Sequence, residues 1–169
     1  MNSRGFSLVE LVIYIVVFAI GVAGVMTVTS QSLSRGSDST LRLRGTQVAQ
    51  AAMEEILAKK WDDTSPNGGG VTATPTAVAL FGPDGGEGTM DRYDDVDDYH
   101  GIAGLASSSA AAFNLTAGFT IDVTVSYVSL SGGTFIASGI PSDYKQIDLT
   151  VDCTELNESY RIVAVKGNF

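Results

Sequence analysis

The densest charge in this 169-residue chain is a run of aspartates, Asp91, Asp94, Asp95, Asp97 and Asp98, in the stretch MDRYDDVDDYHG. Carboxylates at this spacing repel one another unless water solvates them or a hard cation joins them, and Ca2+ takes about six to eight oxygen ligands at roughly 2.3–2.6 Å. Asp94, Asp95, Asp97 and Asp98 are therefore the candidate calcium ligands. The EF-hand pattern with its glycine and distal glutamate is absent, so a solvated loop and a partner contact stand beside the cation reading. His100 is the sole histidine, and a lone histidine is more often a packed or exposed polar residue than a metal ligand. Cys153 is the sole cysteine; it has no mate for an intramolecular disulfide, so cysteine usage leaves the compartment open. No GxSxG, HExxH, paired CxxC or P-loop occurs, and a Ser/His/Asp arrangement would rest on His100 alone. The aspartates could act as paired carboxylates only if their environments pushed their pKa values apart, which sequence does not reveal. The chain reads as a non-enzyme with no cofactor beyond the calcium just named.

A second ionisable residue is out of place. Glu10 lies in RGFSLVELVIYIVVFAIG, and it is the only charge among the 19 residues from Leu8 to Met26. As a helix rising about 1.5 Å per residue, that run is roughly 28 Å long and matches the hydrocarbon thickness of a bilayer. A charge near the bilayer centre costs roughly 2.5–3.5 kcal/mol even on lenient scales, so Glu10 needs a partner or a reason. Arg4 and the terminal amine precede the run and an acidic domain follows it, which puts the N-terminus in the cytoplasm and the domain outside. The run is longer than a secretory h-region and no small-x-small site closes it. Gly5 instead precedes it, and a cut there would leave the apolar helix on the mature chain.

The stretch RGFSLVEL resembles the class III signal of type IV prepilins and pseudopilins, in which a short basic leader ends in glycine before a phenylalanine and a glutamate five residues into the mature chain. Gly5, Phe6 and Glu10 match those positions. The resemblance implies that a prepilin peptidase cuts between Gly5 and Phe6 and methylates the new amine of Phe6. It further implies that Glu10 pairs with the Phe6 amine of an adjacent subunit when apolar helices pack into a filament. The partners so implied are other pilin subunits through the N-terminal helix, the prepilin peptidase, and the inner membrane before the chain reaches a pilus at the cell surface. On the residues alone, Glu10 can also be a first-turn anion that the helix dipole favours by about 0.3–1 kcal/mol. The stretches AQAAMEEILAKKWDDTSPNGGG, YDDVDDYHG and VAVKGNF resemble the minor pilins of mannose-sensitive haemagglutinin type IV pili, although the C-terminal disulfide loop common in pilins is missing. Two alternatives keep the same N-terminal physics: a minor pseudopilin of a type II secretion system, and a singly anchored periplasmic binding protein that never polymerises.

The elements that must carry these residues can be read from periodicity. Residues 1–60 have a net charge of +2 and residues 61–169 of −11, and with no basic stripe to meet phosphates a nucleic-acid partner is excluded. Residues 27–40 are polar and contain Gly36, where a helix leaving the membrane could bend. From Leu41 to Lys60 the positions Val48, Ala49, Ala52, Met53, Ile56 and Leu57 recur at steps of three and four, and this stripe must pack on something. The helix is expected to end near Trp61, before the breakers of DDTSPNGGG. Phe119, Ile121, Val123, Val125 and Tyr127 alternate with polar residues, as do Ile147, Leu149, Val151 and Cys153, and SYRIVAVKG makes a further strand. Turn residues between them predict antiparallel neighbours.

The resulting expectation is an α+β, type IV pilin-like fold, with a long N-terminal helix packed on a small antiparallel sheet. Its parts are a leader over 1–5, a membrane-spanning or filament-core helix over 6–28, an amphipathic helix over 29–61, an irregular region over 62–117 and the sheet over 118–169. A loop as long as 62–117 is functional or conceals short elements.

Overall fold

The computed structural model describes residues 7–106 and 118–169. Gly5, Phe6 and the small-residue run ASSSAAAFN after Leu105 fall wholly or largely outside them. The chain divides into two units, Met1–Thr40 and Leu41–Phe169.

The first unit is helical throughout its described part. Helix α1 runs Leu8–Ala58, and its apolar residues from Leu8 to Met26 are all exposed in the single chain. In the polar stretch that follows, helical throughout, hydroxyls bond back to the turn below rather than competing for the helix's own N–H groups: Thr27 Oγ1 donates to the Ala23 carbonyl at 2.9 Å, Thr29 to Val25 at 2.9 Å and Thr40 to Gly36 at 3.1 Å. Gly36, where a bend was anticipated, sits inside unbroken helix; one glycine costs a helix only about 1 kcal/mol.

The second unit packs the last turns of α1 on a five-stranded antiparallel sheet. The strands are β1 (Ile102–Ala106), β2 (Phe119–Ser131), β3 (Thr134–Ser138), β4 (Tyr144–Cys153) and β5 (Glu158–Gly167), in the order β1-β2-β4-β5 with β3 also on β2. β4 pairs with β2 over Phe119–Val128, so β1 (at Thr120–Val123) and β3 (at Tyr127–Ser131) must share the other edge of β2. In the gap between them, the Val125 N–H donates to His100 Nδ1 at 3.1 Å. The lone histidine is thus a backbone partner, with its ring edge-on to Phe81. The β2–β3 hairpin turns at Gly132 and Gly133, both with positive φ, as a two-residue turn matched to strand twist requires.

The core is the meeting of the predicted stripe and strands. Val48, Ala49, Ala52, Met53 and Ile56 are buried against Phe119, Ile121, Val123 and Val125 of β2 and Ile147, Leu149, Val151 and Cys153 of β4. Leu57 departs from the expectation: it is 37% exposed, because it lies one position around the helix from the central Ile56 and falls off the narrow stripe. Cys153 is free and buried, a small apolar core residue. Gly45 lets the helix approach β5, since a Cβ there would meet the Tyr160 ring, with Cδ2 at 2.7 Å. α1 stops at Ala58, three residues short of Trp61. The stretch read as irregular holds β1 and three short 3-10 turns, Val78–Leu80, Met90–Arg92 and Asp97–Tyr99. The bulge in β1 between Ile102 and Leu105 blurs the period-two pattern that betrays a strand.

Candidate functional site

The aspartate run is folded into the second unit rather than spread in solvent. Asp95, Asp97 and Asp98 are buried, while Asp94 stays exposed and pairs with Lys60 Nζ at 2.7 Å. The Lys60 N–H donates to the Asp94 carbonyl at 3.0 Å, which ties the segment to the end of α1. Within the run the carboxylates serve as local caps. Asp95 Oδ1 accepts the N–H groups of Asp97 (2.8 Å) and Asp98 (3.2 Å), and Asp98 Oδ2 accepts those of Asp94 (3.0 Å) and Asp95 (3.1 Å). Burial, and then the charge of Asp97, push the Asp95 carboxyl up to about 8. Burial likewise raises Asp98, helped by a hydrogen bond with Glu87 and opposed by its backbone donors, to about 7.

Asp97 turns the other way, onto Lys145. That lysine is fully buried at the start of β4, and its ammonium donates to the Trp61 carbonyl at 2.8 Å, to Asp62 Oδ2 at 3.0 Å and to Asp97 Oδ1. Aromatic rings wall the site: Nζ stands 4.4 Å from the Trp61 ring centroid, 5.2 Å from Phe81 and 5.6 Å from Tyr127. Asp62 also accepts the main-chain N–H and hydroxyl of both Thr64 and Thr76. Burial opposes its ionisation, but the bonds from Thr64, Thr76 and Lys145 outweigh that and hold the carboxyl below its ordinary value. An ion group this buried survives only because each member is hydrogen-bonded, since an unpaired charge there would cost several kcal/mol. Sequence reasoning missed Lys145, although it lies two positions before Ile147 and so belongs to the inward face of the same alternation.

Of the four candidate calcium ligands, the structure brings two together, Asp94 and Asp98, and adds Glu87, which sequence reasoning did not select. One oxygen from each of the three lies within 4.8 Å of the others. Two oxygens on one Ca2+ stand at most about 5.2 Å apart when each bond is about 2.6 Å, so the trio has room for the ion. Asp97 and Asp95 are occupied by Lys145 and by backbone donors respectively. Beside the helix end a cleft of about 310 Å3 opens between Lys59, Pro66, Gly68 and Lys166; it contains none of these carboxylates.

The N-terminal segment offers a different kind of site. Glu10 is exposed in the first turn of α1, where no cation among the described residues pairs with its carboxylate. Around it lies the one helix among the described residues that is long and apolar enough to cross a membrane. Among the described residues, the apolar side chains from Leu8 to Met26 are all exposed. Residues 1–26 match the family model described as the prokaryotic N-terminal methylation motif. The chain carries a prokaryotic N-terminal methylation motif. The match spans the Gly5–Phe6 junction, Glu10 and the apolar run together, and it supports a signal of the type IV pilin or pseudopilin kind. No curated protein and no solved structure matches the chain.

Proposed function

We propose that this chain is a minor pilin, cut between Gly5 and Phe6, methylated on Phe6 and assembled through its apolar helix into a type IV pilus. The supporting observation is the conjunction of the methylation motif with an apolar surface from Leu8 to Met26 that is exposed among the described residues. Before assembly that surface sits in the inner membrane, with the acidic unit on the periplasmic side. In the filament, neighbouring apolar helices replace lipid and the Phe6 ammonium of one subunit neutralises Glu10 of the next. The second unit, with its long polar loop held onto the sheet, is the part that the filament carries as a head. The stretches AQAAMEEILAKKWDDTSPNGGG, YDDVDDYHG and VAVKGNF resemble MshD of the mannose-sensitive haemagglutinin pilus, and that resemblance favours a tip or assembly-initiating place over the shaft. Calcium, where the head takes it, sits at Glu87, Asp94 and Asp98.

The test is the mass of the mature N-terminus on chain recovered from sheared surface filaments. A chain beginning at N-methylated Phe6 in that fraction is expected. An intact Met1 start on filament-borne protein overturns the reading, and processed chain confined to the membrane moves the assignment to a pseudopilin or a non-polymerising anchored protein.

A further inference from the structure

The Lys145 site contains more than an ion pair requires. An amine and two carboxyls, Asp62 and Asp97, meet in a pocket where Lys145 and Asp62 are fully buried and the Asp97 side chain is 5% exposed. Trp61, Phe81 and Tyr127 close the pocket. The two carboxyls differ in kind. Asp62 takes hydrogen bonds from Thr64 and Thr76 on both oxygens, which hold its negative charge and make its carbon a poor electrophile. Asp97 has no threonine donor of this kind; its side chain contacts the Lys145 ammonium.

We propose that Lys145 and Asp97 are joined by an intramolecular amide bond that forms after folding. Nζ attacks Cγ of Asp97, the Nζ–Cγ bond forms, and one Cγ–O bond breaks. The ammonium gives up two protons, which leave with the departing carboxylate oxygen as water, so charge and atoms balance with no oxidant or further reactant. Asp62, fixed 3.0 Å from Nζ, accepts a proton from the ammonium and returns it to the leaving oxygen. One feature favours closure: holding the groups in contact is worth an effective molarity of about 10⁵–10⁸ M in well-aligned cases. The product staples the Asp97–Tyr99 turn to the first residues of β4. In a chain with one cysteine, it is a covalent brace that needs no disulfide.

The experiment is peptide mapping and intact mass of the full chain purified from membranes in detergent. The expected mass is one water below that of the processed sequence. Lys145 and Asp97 lie in one stretch free of other tryptic sites, so trypsin is expected to pass Lys145 and release Tyr93–Arg161 whole, one water light. Further cleavage at aromatic residues between the two positions should leave the Asp97 and Lys145 pieces joined. A full sequence mass with free cleavage after Lys145 overturns the proposal. Asp97→Asn decides the electrophile: the lost molecule should become ammonia, or the link should disappear. Continued loss of water in that variant places the bond at Asp62 and overturns the assignment to Asp97.

Discussion

Replacing Glu10 with leucine separates insertion from assembly. Glu10 lies two residues past Leu8, the first residue of α1, so it stands only about 3 Å along the helix axis from that end. At the rim of the span its insertion cost falls well below the roughly 2.5–3.5 kcal/mol of a central charge. Glu10→Leu therefore reaches the membrane at the parent's level or slightly above it. In the filament the balance reverses. The Phe6 ammonium of the neighbouring subunit is left unpaired among apolar helices, and breaking such a buried pair costs about 3–5 kcal/mol. At about 1.4 kcal/mol per factor of ten, incorporation should drop by roughly two to four orders of magnitude. Glu10→Gln, which keeps a hydrogen-bond acceptor without the charge, should fall between. The assay is an immunoblot of membrane and sheared-filament fractions from cells expressing parent or variant. Equal filament-to-membrane ratios would refute the pairing and leave Glu10 as a first-turn anion held by the helix dipole.

Three further outcomes can be read from the fluorescence of the single, buried Trp61 during unfolding of the full chain in detergent. Gly45→Ala gains about 1 kcal/mol of helix propensity but drives a methyl into the Tyr160 ring, an overpacking worth about 1–3 kcal/mol; it should destabilise the parent yet stabilise a Tyr160→Ala background, and the same sign in both would show that the close approach does not matter. Because native Asp95 holds its proton to about pH 8, against an ordinary value of 3.8, the native state binds more protons than the unfolded one across that window. Stability should therefore fall as pH rises from about 4 to 8, by at most about 1.4 kcal/mol per unit, measured in chelator; Asp95→Asn should flatten this component, and an unchanged slope would exonerate Asp95. Added calcium should raise the melting temperature, by about 2.7 kcal/mol of stability at a hundred times Kd, and Asp98→Asn should abolish the shift; identical melting in calcium and chelator would leave Glu87, Asp94 and Asp98 as a hydrogen-bonded loop alone.

The parts legible in the sequence are those whose physics is local. The apolar span, the stripe from Val48 to Ile56 and the alternation in β2 and β4 each repeat with the period of one element, and each is buried or exposed as its period requires. The N-terminal motif is local as well, a fixed spacing along one helix, which is why Gly5, Phe6 and Glu10 can be named without coordinates. The loop between Trp61 and Tyr99 is governed by partners far away in sequence. Asp62 and Lys145 are 83 residues apart, Asp97 and Lys145 are 48 apart, and buried Asn168 clasps the backbone of Thr72 across 96. No window of sequence contains both halves of such a pair.

That distinction explains why the aspartates looked like one cluster and behave as three groups. Along the chain they share a charge and a neighbourhood, so electrostatics alone predicts mutual repulsion and a solvated or cation-bound loop. In the fold, the 3-10 turn at Asp97–Tyr99 points Asp97 at β4 while Asp95 and Asp98 turn back to cap the backbone that precedes and follows them. Asp94 is left at the surface for Lys60. The repulsion that the sequence advertises is eased by direction, and what remains, with burial, holds the Asp95 carboxyl up to about 8. The residue that makes this possible is the inward lysine at the head of β4, where the alternating pattern calls for an apolar side chain. A cation at that position is costly to bury unless carboxylates are delivered to it, and Asp62 and Asp97 come from opposite ends of the loop. Lys145 is thus the point through which the loop's two ends are fixed to the sheet, and a substitution there should loosen both ends at once.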